Sequence, residues 1–160
     1  MGRDLSDLTP IETIVALYNL CIAETSGGLL DGVTVVNGPV VKRTAAKKRL
    51  FIGTSSDGLS AEGDNPESSL PGVVDTENFA ILCVAESFAD TLSNVRTIVF
   101  GIRGAVRQLL RPAPSGLVLG VSSLASARIG TWTLEQMQTE SGPYAGITFR
   151  VECNSKPSVN

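Results

Sequence analysis

The chain has 160 residues, of which 42% are apolar and 18% charged, and its formal net charge is −3. A chain of this length buries roughly two-thirds of its unfolded surface, so we predict a single globular domain, residues 1–160, and exclude a disordered tail. The acidic balance argues against a protein that coats duplex nucleic acid. No apolar run reaches the ~18 residues of a membrane span, and the opening MGRDLSDLTP lacks the apolar centre of a secretory signal, so we expect a soluble protein.

Residue types that carry enzyme chemistry are poorly represented. The chain has no histidine, which removes Ser-His-Asp and Cys-His catalysis as well as His-ligated zinc. The CxxC, GxGxxG, Walker and GxSxG patterns are absent from the sequence too. Carboxylate-only or Ser-Lys chemistry stays open, but no spacing indicates it. We therefore expect no enzyme, no cofactor and no metal.

Three cysteines, Cys21, Cys83 and Cys153, lie far apart along the chain and among apolar neighbours. An odd number at such spacings does not form a disulfide framework. The pattern predicts buried, reduced thiols that pack as small apolar side chains.

The first predicted element is a helix from about Pro10 to Glu24. Thr9 and Glu12 have the spacing of a capping box, and Pro10 occupies the first helical position, where its missing N–H costs nothing. Ser26-Gly27-Gly28 ends the helix. The residues that recur at helical spacing, and therefore predict its core face, are Ile11, Ile14, Val15, Tyr18 and Cys21 or Ile22.

Two short strands follow, Val33–Val36 and Leu50–Thr54, and a basic cluster precedes the second. Asn37-Gly38-Pro39 ends the first strand. The basic cluster has two interpretations: a solvated loop that discourages edge pairing, or an electrostatic contact with an acidic surface or with phosphates. Its members are Lys42, Arg43, Lys47, Lys48 and Arg49.

The segment Ser55–Thr76 is acidic and has no periodicity. Structureless loops of about twenty residues are uncommon within one domain and are usually functional or disordered. We predict an extended arm that projects to a neighbour; an ordinary surface loop is the alternative. Pairing of this acidic segment with the basic cluster of another copy is a hypothesis. Its acidic residues are Asp57, Glu62, Asp64, Glu67 and Asp75, and it has no basic residue.

The next strand, Glu77–Glu86, is apolar on both faces. Phe79, Ile81, Cys83 and Ala85 point one way, and Ala80, Leu82 and Val84 point the other. Such a strand must be covered on both sides. We expect the two helices to cover one face and further protein, such as a second subunit, to cover the other.

A second helix follows, with an apolar stripe on one side and arginines on the other. The arginine side, Arg96, Arg103 and Arg107, is either a solvated face or a subunit contact, since arginine is favoured at interfaces. Gly101 and Gly104 each cost the helix roughly 1 kcal/mol against alanine, and such glycines usually mark close approach of another backbone. The stripe consists of Val95, Ile98, Val99, Ile102, Val106 and Leu109.

The last third predicts three strands, Leu117–Val121, Arg128–Gln138 and Tyr144–Cys153, with a turn at 140–143 and a polar tail at 154–160. The fold class is therefore α+β: two helices packed on a mixed, mainly antiparallel sheet. The predicted order is α-β-β-β-α-β-β-β, with the long acidic loop between strands 2 and 3.

Taken in order, these segments resemble the tail terminator (tail completion) proteins of long-tailed bacteriophages, particularly those infecting actinobacteria. The resemblance rests on TPIETIVALYNLC, TVVNGP, KKRLFIGTS with the Gly- and acid-rich loop, and NFAILCVAES before a helix rich in Val, Arg and Ala. It continues through SGLVLGVSSLASARIGTW and AGITFRVECN, so that it spans nearly the whole chain. Each segment alone is mostly core pattern, and the ordered set carries the resemblance.

The resemblance implies a structural virion protein with no reaction. Members of that family form a ring, commonly of six copies, that caps the head-proximal end of the tail tube and stops its polymerisation. The implied partners are further copies of the chain, the tail tube protein and a head-closure or connector protein, with genomic DNA passing through the lumen without specific binding. The implied location is the virion, after synthesis in the host cytoplasm, and no membrane is involved.

Two alternatives remain open from the sequence. One is a neck or head-closure protein of the same virion, because small head–tail joining proteins can share such a fold. The other is a nucleic-acid-binding module that uses the basic cluster and the arginine side of the second helix. The net charge of −3 and the 5% aromatic content argue against the second alternative. The residues expected in contacts between subunits or partners are Lys42, Arg43, Lys47, Lys48, Arg49, Asp57, Glu62, Asp64, Glu67, Arg96, Arg103 and Arg107.

Overall fold

Two helices lie on one face of a six-stranded sheet in a computed structural model that describes residues 9–38, 47–55, 61–64, 78–88 and 91–155. The helices and strands have the following bounds: α1 Thr9–Ala23, β1 Thr34–Asn37, β2 Lys48–Ile52, β3 Ala61–Asp64, β4 Asn78–Phe88, α2 Leu92–Leu109, β5 Leu124–Thr139 and β6 Gly142–Ser155. The predicted α+β class, with two helices on a mixed and mainly antiparallel sheet, is confirmed.

The long strand β4 lies at the centre of the sheet, whose order is β1-β2-β4-β6-β5. One edge of β4 pairs with β6 along its whole length, and the other edge pairs first with β3, at 78–81, and then with β2, at 83–87. All of these pairs are antiparallel, and β1 adds to β2 in parallel. This central place explains why β4 is apolar on both faces.

The helices divide the inner face of the sheet between them. α1 packs over β1, β2 and β4, whereas α2 packs over β4, β6 and β5. Between the helices and the sheet lies one hydrophobic core, in which the largest fully buried side chains include Leu17, Ile81, Val99, Ile147 and Phe149. The stripe predicted for α2 is confirmed, since Val95, Val99, Ile102 and Val106 are buried and Ile98 and Leu109 pack against the core.

The outer face of β4 is covered within a single chain. Ala80, Leu82 and Val84 are only 3%, 5% and 7% exposed. The expectation that both faces are covered is thus confirmed, but a second subunit is not needed to cover them.

The core face of α1 differs from the predicted one. Its buried residues are Thr9, Thr13, Leu17 and Cys21, while Ile11, Val15 and Ile22 are 60%, 46% and 40% exposed. Glu12 is the one charged residue of this helix, so apolar side chains surround most of the axis. Apolar spacing therefore could not decide which side faces the sheet. Hydroxyls make the buried side compatible with the core: Thr13 Oγ1 donates to the Thr9 carbonyl at 2.7 Å, and Thr9 Oγ1 donates to Ser123 Oγ at 2.9 Å.

The order of strands also differs from the predicted order. The acidic segment 55–76 contains an additional strand, β3, so four strands precede α2 and two follow it. The predicted strand Leu117–Val121 is instead a succession of turns, because Leu119 and Gly120 have φ of 53° and 70° and Val121 N–H donates to the Val118 carbonyl at 2.9 Å. Its apolar side chains are explained by burial in the core.

The two last strands form a hairpin around Glu140-Ser141, as the sequence predicted. β6 continues to Ser155, so the predicted polar tail begins inside the sheet. Asn154 pairs in register with Asn78 and Ser126, and its side-chain amide donates to Ser126 Oγ at 3.0 Å. These cross-strand bonds keep the start of the polar tail in the sheet, although its polarity alone predicted that it would fray.

All three thiols are free and buried, which confirms the prediction for the cysteines. Burial, with a smaller contribution from the charges of neighbouring Glu24 and Glu152, raises the pKa of Cys21 and Cys153 from 9.0 to about 12. Burial also raises the pKa of Cys83, against the lowering effect of a hydrogen bond with the Gly53 backbone. The thiols consequently stay protonated in the folded chain at pH values where the unfolded chain ionises them.

We expect the free energy of unfolding to decrease as the pH rises above about 9, since the unfolded thiols then ionise and the folded ones do not. Between pH 8 and 10.5, each buried thiol should account for a loss of about 2 kcal/mol. Urea denaturation of the wild type and of Cys21→Ala at both pH values measures the contribution of one thiol. Equal losses in the two proteins would contradict the expectation.

Ser87 has a buried hydroxyl without a hydrogen-bond partner in the part of the chain that the structure describes. It is 0% exposed and lies on β4 between Lys48 and Ala145. Ser87→Ala removes a desolvated polar group at no loss of a bond, so the free energy of unfolding should stay equal or rise by up to about 1 kcal/mol. Thr13→Val is the matched control. It deletes a buried hydroxyl that has a partner, and urea denaturation should show a loss of about 1 kcal/mol.

Candidate interaction surfaces

Helix α1 carries an exposed apolar stripe formed by Ile11, Val15 and Ile22. At 100° per residue these side chains lie within about 40° of one another. The half-buried Ile14 and Tyr18 adjoin them on the side toward the core. A helix that is apolar around most of its axis is normally buried on most sides. Here one of those sides faces solvent.

The edge strand β5 is the second surface with large exposed apolar side chains. Within the described ranges β6 is its one strand neighbour, and a bulge between Ile129 and Trp132 divides the strand. The run after the bulge, Trp132–Thr139, contains no lysine and no proline, and Glu135 is its only charged residue. Natural edges are usually protected by lysines, prolines or short length, so this run is an unusually open edge.

Trp132 connects that edge to α2. Its ring meets Phe100 edge-on with centroids 5.2 Å apart, and the Arg103 guanidinium lies 5.9 Å from its centroid. The tryptophan nevertheless remains 47% exposed. It therefore lies on the helix side of the sheet, at the margin of the layer that α2 covers.

The arginine side of α2 is only partly solvated. Arg96 and Arg107 are exposed, whereas Arg103 is half-buried against Trp132. A Cβ placed on Gly101 or Gly104 would meet nothing within 4 Å. Thus the close backbone approach expected at these glycines does not occur within the described part of the chain.

The outer face of the sheet carries cross-strand ion pairs that the sequence did not reveal. Arg128 pairs with Glu152 at 3.1 Å, and Arg150 pairs with Glu62 of β3. These four side chains line a groove whose floor includes Ala80. Two cations and two anions leave these four side chains without net charge.

A third ion pair, between Arg49 and Glu86, lies in an aromatic cluster at the other end of β4. Their side chains approach to 3.2 Å and are 12% and 22% exposed. The Arg49 guanidinium lies 5.3 Å from the Phe88 ring centroid, and the Phe88 and Tyr144 centroids are 5.0 Å apart. Burial raises the pKa of Tyr144, and the nearby charge of Glu86 raises it further. The tyrosine is therefore neutral at physiological pH.

Only part of the predicted interface set is described by the structure. Lys47 is exposed and Lys48 half-buried, and Asp64 belongs to β3. Arg49 and Glu62 each form an ion pair within the chain, with Glu86 and Arg150. Contacts of the predicted residues with other copies therefore stay a prediction. Four of them, Lys42, Arg43, Asp57 and Glu67, lie outside the described residues.

The sequence did not predict that these apolar side chains of α1 and β5 are exposed. The sequence indicated them only by a near absence of charged residues: α1 has one charged residue in 15, and Trp132–Thr139 has a single charged residue.

Among the described residues, no cluster of three or more Cys, Asp or Glu side chains has the geometry of a metal site. Nor does any described helix have the length and apolar character that crossing a membrane requires.

Comparison with known proteins places the fold but no family. No protein-family model matches the chain, and no curated protein sequence matches it. A similar solved structure is a chain from the "Virion of native gene transfer agent (GTA) particle", with a TM-score of 0.56 and 11% sequence identity. The alignment covers 91% of this chain and 94% of that chain. At this identity the likeness shows a shared fold across nearly the whole length of both chains.

Proposed function

We propose that this chain is a structural protein of a phage-type virion, without enzymatic activity, and that it acts as a tail terminator. In this role a ring of copies, six in the family that the sequence resembles, caps the head-proximal end of the tail tube. The ring stops tube polymerisation and presents a surface to a head-closure or connector protein. The observation that carries the proposal is the likeness of fold, over 91% of the chain, to a chain of a virion.

Two further observations support the same role. The segments that resemble tail terminator proteins fall on the main elements of the fold: TPIETIVALYNLC on α1, NFAILCVAES on β4 and AGITFRVECN on β6. In addition, α1 and β5 expose large apolar side chains, which is typical of a protein whose surface is covered in an assembly. A scaffold of this kind needs contacts rather than a reaction.

The experiment is tube polymerisation in the presence of the purified chain. Tail-tube subunits are polymerised with increasing amounts of the wild-type chain, and tube lengths are measured by electron microscopy. A terminator shortens the tubes as its ratio to tube subunits rises, and the labelled chain appears at one end of each tube. Unaltered tubes together with binding to the portal side would favour a head-closure protein instead. The core variant Val99→Asp, in which the fold is expected to be lost, is the control that should leave tube length unchanged.

A further inference from the structure

We propose that an arginine row on α2, together with Trp132, binds single-stranded nucleic acid without sequence preference. The arginine row consists of Arg96, Arg103, Arg107 and, just past the helix, Arg111. In this contact the guanidinium groups bind phosphates of one strand, and Trp132 stacks on a base. The inference goes beyond the proposed function and does not depend on the terminator role.

The arginine row differs from the other described arginines in its lack of acidic partners. Arg49, Arg128 and Arg150 each form an ion pair with a glutamate. Among the residues that the structure describes, none of the four arginines of the row forms such a pair. The charge of the row is therefore not neutralised by the described side chains, and it attracts an anion from outside the chain.

The row also lies in a part of the chain that contains no acidic residue. Five of the 13 basic residues and none of the 16 acidic residues lie at 91–134. The next acidic residue, Glu135, lies on the opposite face of β5 from Trp132, because side chains alternate along a strand. The net charge of −3 is thus an average over two dissimilar regions, so a basic surface on α2 is compatible with an acidic chain.

The regular spacing of the row favours nucleic acid over an acidic protein. At 100° per residue, Arg96, Arg103 and Arg107 lie within about 40° of one another, and they span about 16 Å along the helix axis. Arg111 follows four residues after Arg107. Phosphates recur at constant spacing along a strand, so one strand can meet several guanidinium groups of such a row. The acidic side chains of a protein surface have the required charge but no such repeat.

Trp132 favours a single strand over a duplex. The ring is half-exposed, and it adjoins the middle of the row because the Arg103 guanidinium lies 5.9 Å from its centroid. Edge-on contact with Phe100, at 5.2 Å between centroids, holds the ring in place. Aromatic side chains beside a basic surface bind single strands by stacking on unpaired bases. In a duplex the faces of the bases are already stacked on one another, so the ring has no base to contact.

Titration with a single-stranded oligonucleotide tests this contact, with the fluorescence of Trp132 as the readout. Trp132 is the only tryptophan of the chain, so its fluorescence reports on this surface alone. An oligothymidylate of roughly 12 nucleotides at ~50 mM salt should quench the fluorescence until the surface is saturated. Raising the salt concentration to ~200 mM should weaken binding by about tenfold or more. A duplex of the same length should leave the fluorescence unchanged.

Arg107→Gln and Arg128→Gln separate the row from the charge of the chain as a whole. Both arginines are exposed, and both substitutions remove one positive charge. Arg107→Gln should lower the affinity for the oligonucleotide severalfold and reduce the slope of log affinity against log salt concentration by about 0.7. Arg128→Gln, on the outer face of the sheet, should change neither. Both variants should unfold at the urea concentration of the wild type, which shows that a loss of binding is not a loss of fold.

Four results would overturn the proposal. The first three are no quenching by the oligonucleotide at ~50 mM salt, equal losses of affinity in Arg107→Gln and Arg128→Gln, and equal quenching by the duplex. The fourth is displacement of the oligonucleotide by poly-glutamate at an equal concentration of charge, which would identify an acidic protein as the ligand instead. None of these results bears on tube capping, so the terminator role is tested separately.

Discussion

Val99→Asp is expected to unfold the subunit. Val99 is 0% exposed at the centre of the α2 stripe, between the helix and the sheet. An unpaired carboxylate there costs several kcal/mol, which is comparable with the 5–15 kcal/mol of total stability of a typical domain. Far-ultraviolet circular dichroism and urea denaturation should show a largely unfolded chain or one that melts far below the wild type.

Thr97→Asp is the control for that variant. Thr97 lies on the same helix two residues earlier and is exposed, so the same charge remains in water and stability should change by less than about 0.5 kcal/mol. A Val99→Asp chain as stable as Thr97→Asp would contradict the placement of the α2 stripe in the core.

Arg49→Ala is expected to destabilise the chain by about 2–3 kcal/mol. The substitution leaves the mostly buried Glu86 carboxylate without its cation and removes the guanidinium from the Phe88 ring. Arg128→Ala is the matched control, because Arg128 also pairs with a glutamate across strands but has a side chain that is 79% exposed. Exposed pairs contribute about 0–1 kcal/mol, so its loss should be small.

Urea denaturation of the two arginine variants, at the same pH and salt concentration, measures the difference. Equal free energies of unfolding for Arg49→Ala and Arg128→Ala would contradict the expectation that burial and the Phe88 ring strengthen the Arg49–Glu86 pair. A larger loss in Arg49→Ala assigns this basic residue a role within the subunit, in addition to the contact between copies that the sequence predicted.

The parts of the fold that could be predicted are those in which polarity varies strongly along the chain. The α2 stripe and its arginine side follow from helical spacing, and the doubly apolar β4 indicates a central strand. The position of β3 could not be predicted, because Ala61–Asp64 is short and polar and joins the sheet only through pairing with β4. At 117–121 the apolar run predicted a strand, whereas left-handed backbone at Leu119 and Gly120 forms turns.

The candidate interaction surfaces were harder to predict than the fold. Charged residues attract attention in a sequence, yet Arg49 and Glu62 form ion pairs inside the chain, since cross-strand neighbours depend on a pairing that the sequence does not display. For α1 the difficulty is the reverse: apolar residues surround the helix, so spacing alone does not say which of them face water. The near absence of charge on α1 was the available sign that an apolar side of the helix would remain exposed.

The native mass of the particle, measured alone and after mixing with tail-tube subunits, tests the proposed role most directly. We expect a closed ring of several copies, six by resemblance to the tail terminator family, bound to the end of each tube. A chain that is strictly monomeric in both measurements would contradict the terminator role.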